Sequence, residues 1–368
     1  MNILINASNL KQGGGVQVAQ SLVAQAERFS QHHFIVVLSD YVRELTLITS
    51  DNVSINRYTI RNTLSSLLFG RDAYLDNLVK ESNVDVVLTV FGPSRWKPRV
   101  PHLCGFARAQ LVLTDSPYYQ QITFKDKLIY KAWIWLFKQC ATEFYTENAY
   151  ISDMLPKLLG DIKVYTVSNY YNQVFDMPNT WQVHPLPAFE GTTCLSVSSF
   201  YPHKNFSILV EAAQILEQEH PDFQFRFVLT FVDGLISVPE NLRKHFVFIG
   251  KVEVNECPDL YRQTDVMVMP TLMECFTATY PEAMRMDVPI VTTDLEFARG
   301  LCEDAACYYS AMNAKSCADA IYHVAVNKDY AAQLVVNGKE QLKKFDNYEQ
   351  RADKLIGILE EIVTHQNN

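Results

Sequence analysis

Residues 270–294, PTLMECFTATYPEAMRMDVPIVTTD, carry two glutamates eight positions apart, and the flanking residues say how both could face one ligand. Residues 265–270 (DVMVMP) read as a buried strand, 271–280 as a loop, 282–286 as the start of a helix and 289–293 as the next strand. Glu274 then sits in a loop above a strand's C-terminal end, and Glu282 at a helix N-terminus. Open α/β sheets bind ligands at that edge, and the free N–H groups of a helix start favour phosphate. A diphosphate held between two acids needs positive charge. Lys204, in SSFYPHKNFSILVEA (198–212) and likewise just past a strand, is placed to supply it.

Working outward, the same alternation of strand and helix recurs along the chain. The first half reads as strands at 1–8 (MNILINAS), 34–38 (FIVVL), 84–90 (VDVVLTV) and 143–146. A helix follows the GGG of 13–15, with Val16, Val18, Ala19, Leu22, Val23 and Ala26 at helical spacing, and a long helix covers 125–140. The second half has strands near 193–198, 224–230, 246–249, 265–269, 289–293 and 307–309. The pattern predicts two largely parallel, doubly wound α/β sheets. Residues 173–191, with prolines at 178, 185 and 187 and little periodicity, read as the linker between domains 1–172 and 192–345. A last helix is expected within 346–368, with Leu355, Ile358, Leu359 and Ile362 on one face.

Composition narrows the function. At 368 residues and 48% hydrophobic content the chain can bury two ordinary cores. No apolar run is long enough to cross a bilayer and residues 1–20 lack a signal pattern, so a soluble, cytoplasmic protein is expected. Eight cysteines without C-x-x-C pairs or zinc spacing read as reduced, buried thiols, and no metal site is expected. The net charge of −9 is unevenly spread: residues 1–172 hold 17 Lys+Arg against 14 Asp+Glu, and residues 173–368 hold 15 against 27. Within 95–138, eight basic residues face Asp115 and Asp126 alone, a patch suited to anionic lipid headgroups. The helix KDKLIYKAWIWLFKQCA (125–141) mixes Tyr130, Trp133, Trp135 and Phe137 with four lysines, which fits a membrane interface and a core-packed helix equally. With an acidic second half and no recognised binding module, nucleic acid is not an expected partner.

These residues carry a resemblance. The E-x7-E spacing before a small-residue helix and the post-strand HKN resemble the C-terminal domain of the retaining glycosyltransferases of family 4. That family has the GT-B fold, two Rossmann-like doubly wound parallel-sheet domains facing an interdomain cleft. The similarity extends to GGGVQVAQSLV (13–23), VPHLCGFA (100–107), VSNYYNQVF (167–175) and GKVEVNECPDLYRQTDVMVMP (250–270).

The resemblance implies that Glu274 contacts the transferred sugar, that Glu282 accepts hydrogen bonds from ribose hydroxyls, and that Lys204 meets the diphosphate. Carboxylates suit the first two tasks because each accepts from two hydroxyls. It implies that the main chain of Cys275, Phe276, Thr277 and Ala278 approaches the diphosphate, although relatives usually have glycines there. Residues 275 or 277 would be strained if that loop needs positive φ. Where many relatives have an arginine, this chain has Ser199. Gly14 and Gly15 would allow close approach of a ligand or the facing domain, and His102 would line the cleft, bonding the sugar or orienting the acceptor. The helix of 346–368 would cross back to the N-terminal domain.

The implied activity is metal-independent, retaining transfer without a cofactor, from a UDP- or GDP-linked sugar to a glycan acceptor. Members of the family with segments like PHLCGFA (101–107) and YPHKN (201–205) build O-antigen or capsule on lipid-linked acceptors, and the resemblance to them implies peripheral association with the inner face of the cytoplasmic membrane. Three alternatives stay open: a sugar-nucleotide epimerase of the same architecture, a NAD-dependent enzyme and a non-catalytic scaffold. Against the second, Gly13-x-Gly15 is followed by Val18 where a dinucleotide loop has its third glycine.

Overall fold

The computed structural model describes residues 1–11, 13–42 and 50–366. The chain divides into two compact units, one of Met1–Val112, Ile122–Asn169 and Asp346–Asn368, the other of Leu113–Gln121 and Tyr170–Phe345. The crossings at 169/170 and 345/346 therefore return the chain's end to the unit that holds its beginning.

The first unit runs β1 (Asn2–Ala7), α1 (Gly14–Gln25), β2 (His33–Leu38), β3 (Val53–Arg57), α2 (Leu64–Phe69), α3 (Ala73–Glu81), β4 (Val86–Thr89) and β5 (His102–Gly105). It continues through α4 (Ala109–Val112), α5 (Phe124–Cys140), β6 (Glu143–Thr146), α6 (Ala149–Leu159) and β7 (Lys163–Thr166). The strands form one parallel sheet in the order β3-β2-β1-β4-β5-β6-β7. Successive β1 residues serve opposite faces: Ile3 and Ile5 join the core under α1, whereas Leu4 joins Leu75 and Trp96 on the other side. A sheet covered on both faces explains why its central strands read as unbroken apolar runs.

The second unit runs β8 (Thr192–Ser196), α7 (Ile208–Glu219), β9 (Phe225–Leu229), β10 (Phe246–Phe248), α8 (Cys257–Arg262), β11 (Val266–Met269), α9 (Thr279–Arg285) and β12 (Ile290–Thr293). Then come α10 (Glu296–Cys302), β13 (Ala306–Tyr309), α11 (Ala314–Val326) and α12 (Lys328–Leu342). Its parallel sheet has the order β10-β9-β8-β11-β12-β13. Leu209, Ala212 and Leu216 of α7 and Ile321 and Val324 of α11 pack with Phe227 and Val268 of the sheet. The proline-bearing stretch 173–191 is part of this unit: it forms two short 3-10 turns, and then His184 N–H and Leu186 N–H donate to Asp259 and Gln263 at 2.9 and 3.1 Å.

The last helix, α13 (Tyr348–Gln366), contributes Ala352, Leu355, Ile356, Leu359 and Ile362 to the core under α1. Polar bonds hold its start. Asp346 Oδ2 accepts from Ser168 N–H and Oγ–H at 3.2 and 2.9 Å, and Asp346 N–H donates to Ser168 Oγ at 2.7 Å. Arg351 donates to Glu147 at 3.0 Å and to Asn169 at 2.6 Å, both charged partners being buried.

Candidate functional site

In both sheets the strand order reverses once, between β1 and β4 and between β8 and β11. Loops leaving neighbouring strands in opposite directions open a crevice at their C-terminal ends, where doubly wound sheets bind ligands. In the second unit the loops that flank this reversal are those after β8, carrying Ser199 and Lys204, and after β11, carrying Glu274.

The two charged residues meet. Lys204 Nζ lies 2.5 Å from Glu274 Oε1, with side-chain exposures of 10% and 11%. Lys204 ends a 3-10 turn (Pro202–Lys204), after which Asn205 takes a left-handed conformation (φ 52°), a geometry asparagine tolerates. The turn is tied to the facing loop by Leu272 N–H donating to His203 C=O at 2.8 Å. Thr271 Oγ–H donates to Glu274 Oε1 at 2.8 Å, and Thr293 Oγ–H to Thr271 C=O at 2.7 Å, so the glutamate is oriented from β12 as well. Among the described residues, the contacts of Glu274 all use Oε1, which leaves Oε2 to accept from a ligand hydroxyl. Ser116 Oγ–H donates to Leu272 C=O at 2.6 Å, and Tyr118 sets its ring edge-on to His203, which brings residues 113–121 into this unit. Burial holds the His203 imidazole below its usual pKa.

At the other end of the loop, Glu282 lies buried in α9, where Tyr261 Oη–H donates to Oε2 at 3.0 Å. Burial pushes this carboxyl up to about 7, against the opposing effect of the tyrosine bond. The helix begins at Thr279, three positions before the expected start, and Pro281 falls in its first turn, where its missing N–H has no partner to lose. Between the glutamates, none of residues 270–279 has positive φ, so the glycine-free loop carries no backbone strain. Side chains hold it instead: Cys275 and Thr277 are buried, Thr277 and Thr279 share a hydrogen bond of 2.8 Å, and Phe276 meets Phe345 edge-on. Ala278 is the residue before α9. Ser199 is exposed on the loop after β8, its carbonyl accepting from Ser198 Oγ–H.

The remaining expected site residues belong to the first unit. Gly14 and Gly15 open α1, behind Gly13 at φ 79°. A Cβ on Gly15 would come to 3.3 Å from Phe91, whereas Gly13 and Gly14 have open space around them. His102 is not at the C-terminal edge. It is the first residue of β5, buried, and both ring nitrogens are engaged: Nδ1 with the carbonyl of Cys140 at 2.8 Å and Nε2 with Thr89 Oγ1 at 2.7 Å. Nδ1–H therefore satisfies the terminal carbonyl of α5, one of the orphan acceptors every helix end leaves, while Nε2 accepts from Thr89. Asn6 Nδ2 donates to Thr89 Oγ1 at 3.2 Å, extending the buried chain to β1. With no ring nitrogen left for a sugar or an acceptor, the geometry gives His102 a structural role in place of the expected cleft role. Burial lowers its pKa to about 4.

The sequence reading did not single out Tyr261, Thr271 or Asn205. Tyr261 and Thr271 orient the two glutamates, and Asn205 Nδ2, one residue from Lys204, is a buried donor without a partner among the described residues.

Residues 191–327 match the family described as Glycosyl transferases group 1. Over the whole chain the fold is GT-B. A sucrose-phosphate synthase from Thermosynechococcus elongatus superposes with a TM-score of 0.72 at 16% identity, covering 99% of each chain. Among curated relatives, mannosylfructose-phosphate synthase of Agrobacterium fabrum is 22% identical over 223 residues, 52% of this chain and 47% of the relative, so the match spans about half that protein's length. The O-antigen chain mannosyltransferase RfbU of Salmonella typhimurium is 21% identical over 274 residues, 73% of this chain and 72% of the relative. These matches support a glycosyltransferase of GT-B fold.

Proposed function

We propose that this chain is a retaining, metal-independent glycosyltransferase that moves a sugar from a UDP- or GDP-linked donor to a glycan acceptor on a lipid carrier, in the assembly of a surface polysaccharide such as O-antigen or capsule. The observation that carries the reading is the buried Lys204–Glu274 pair at the strand-order reversal of the second sheet. An ammonium held beside an acid at this edge suits a ligand that is anionic at one end and hydroxylated at the other.

The roles follow from the chemistry. Lys204 has three donors and spends one on Glu274, so two remain for the diphosphate, assisted by the unpaired Asn205 amide. As the bond from the sugar's anomeric carbon to phosphate breaks, the leaving diphosphate gains charge that the fixed ammonium stabilises. The acceptor oxygen bonds to the same face of that carbon, and its proton passes to the departing phosphate oxygen. Glu274 Oε2 accepts from a hydroxyl of the transferred sugar. Glu282, at the far end of the loop, accepts from ribose hydroxyls.

A thermal-shift screen against UDP-, GDP-, ADP- and CMP-sugars tests the donor assignment, because a ligand that binds only the folded form raises its melting temperature. One donor class should stabilise the protein, and Lys204→Met should abolish the shift. No shift with any nucleotide sugar, or an undiminished shift in Lys204→Met, would remove the basis of the reading.

A further inference from the structure

Helix α5 is apolar on two opposite sides. Leu136, Phe137 and Cys140 form its buried side. On the side facing solvent, Phe124, Leu128 and Trp135 stand at i, i+4 and i+11, one stripe of a helix, with exposures of 77%, 50% and 41%. A surface helix of a globular protein normally turns polar residues outward along that stripe. Here the charged residues border it: Lys125, Lys127, Lys131 and Lys138 are all exposed. Asp126 is the one acid of α5, and it is bonded to Thr123 in the capping box that starts the helix.

Helix α2 repeats the arrangement beside it. Its inner residues Ser66 and Leu67 share a small cavity with Leu136, Gln139 and Cys140 at the end of α5. Its outer residues Leu64 and Phe69 are exposed by 72% and 70%, and Leu68 lies beside them. Exposed Arg61 and Lys97 flank this helix, Ser66 Oγ–H donating to Arg61 C=O and Lys97 N–H to Gly70 C=O just past its end. Among the described residues no helix is long and apolar enough to cross a membrane.

We infer that α2 and α5 together form a docking surface for an anionic lipid bilayer. Charge decides the occupant. Aromatic and aliphatic side chains bordered by lysine and arginine match an interface where rings lie at headgroup depth and ammonium groups meet lipid phosphates. A second copy of the same face would instead bring like charges together. The inference rests on the transferase reading only for its biological sense, since a lipid-linked acceptor would lie in the same bilayer.

The test is co-sedimentation of the full chain with vesicles of phosphatidylcholine alone and of phosphatidylcholine with phosphatidylglycerol. The protein should bind the anionic vesicles, less so as salt rises, and each of Lys125→Gln, Lys127→Gln and Lys131→Gln should weaken binding roughly five-fold. Leu128→Ser with Trp135→Ser, and separately Leu64→Ser with Phe69→Ser, should abolish sedimentation while leaving the melting temperature and the thermal shift with the donor nucleotide unchanged. Those two readouts separate failure of the docking surface from failure of the transferase reading. No binding to anionic vesicles, equal binding to both lipids, undiminished binding by the serine variants, or a dimer that these variants dissolve would overturn the inference.

Discussion

Lys204 and Glu274 form their 2.5 Å ion pair across seventy residues of sequence, joining the loops that leave β8 and β11. Each is the other's neutralising partner in the free protein, so a diphosphate must share the ammonium with the carboxylate. Removing one partner of a buried pair strands the other and costs about 3–5 kcal/mol. Glu274→Gln should therefore lower stability of the free protein, with more of the loss restored by nucleoside diphosphate than the wild type gains. Transfer should fall roughly ten- to a hundredfold, the loss expected when a charge-assisted hydrogen bond from the sugar hydroxyl is weakened. Denaturation with and without nucleotide, together with initial rates, checks both parts. Equal transfer by Glu274→Gln would sink the assigned role.

Glu282 gives donor binding a pH signature. Its folded pKa of about 7 lies above the ordinary carboxylate value of 4.5, so a fraction of the free protein is protonated near neutrality. An ionised carboxylate accepts from two ribose hydroxyls and a protonated one does not do so fully. Nucleotide affinity should rise with pH through about 7 and level off above it. In Glu282→Gln the affinity should be lower and the inflection absent, which isothermal titration across pH 6–8 would reveal.

His102 and Glu282 place opposite slopes on stability. The folded pKa of His102, about 4, lies below the ordinary 6.5, so the unfolded chain takes the proton first as pH falls. That stability is whole above pH 6.5 and is lost down to about 4, on the order of 3 kcal/mol. For Glu282 the raised pKa means stability is whole below 4.5 and is lost as pH rises through 7, by a similar amount. The first unit should therefore weaken on acidification and the second on alkalinisation within the same window. Tryptophan fluorescence of His102→Gln and Glu282→Gln against denaturant at pH 5 and 7 should show each slope vanish separately.

The buried pair at the start of α13 predicts a further asymmetry. Arg351→Met should cost about 3–5 kcal/mol by leaving Glu147 buried without its cation, and Arg351→Met with Glu147→Met should recover much of that. Urea midpoints of the two variants measure the difference, and an additive loss in the double variant would contradict it.

The six strands of the second sheet were legible in the sequence because most are buried and rich in apolar and β-branched residues, and the edge strand β10 (FVF), though only partly buried, is wholly apolar. In the first sheet β3, β5 and β7 escaped notice. The outer strands β3 (VSINR) and β7 (KVYT) have no fully buried residue and so no apolar pattern to find. β5 is buried but four residues long, and its histidine drew a functional reading. A lone histidine in an apolar segment looks the same whether its nitrogens are free or bonded, and only coordinates show Cys140 C=O and Thr89 at its two ends. Lys204, Glu274 and Glu282 were legible from their positions after strands and at a helix start. The ion pair was not, because nothing in a sequence states that two loops seventy residues apart will meet, nor that Tyr261 and Thr271 will orient the carboxylates.

Because α13 supplies Leu355, Ile356, Leu359 and Ile362 to the core that also contains Ile3 and Ile5, the unit that holds β1 is completed only after the whole of the second unit has been made. During synthesis, β1 and its neighbours would have one wall of their core open until α13 (Tyr348–Gln366) had cleared the exit tunnel. A premature stop codon before Tyr348 would thus not trim a tail; it would leave the amino-terminal sheet with a permanently uncovered oily groove, a substrate for chaperones and proteases.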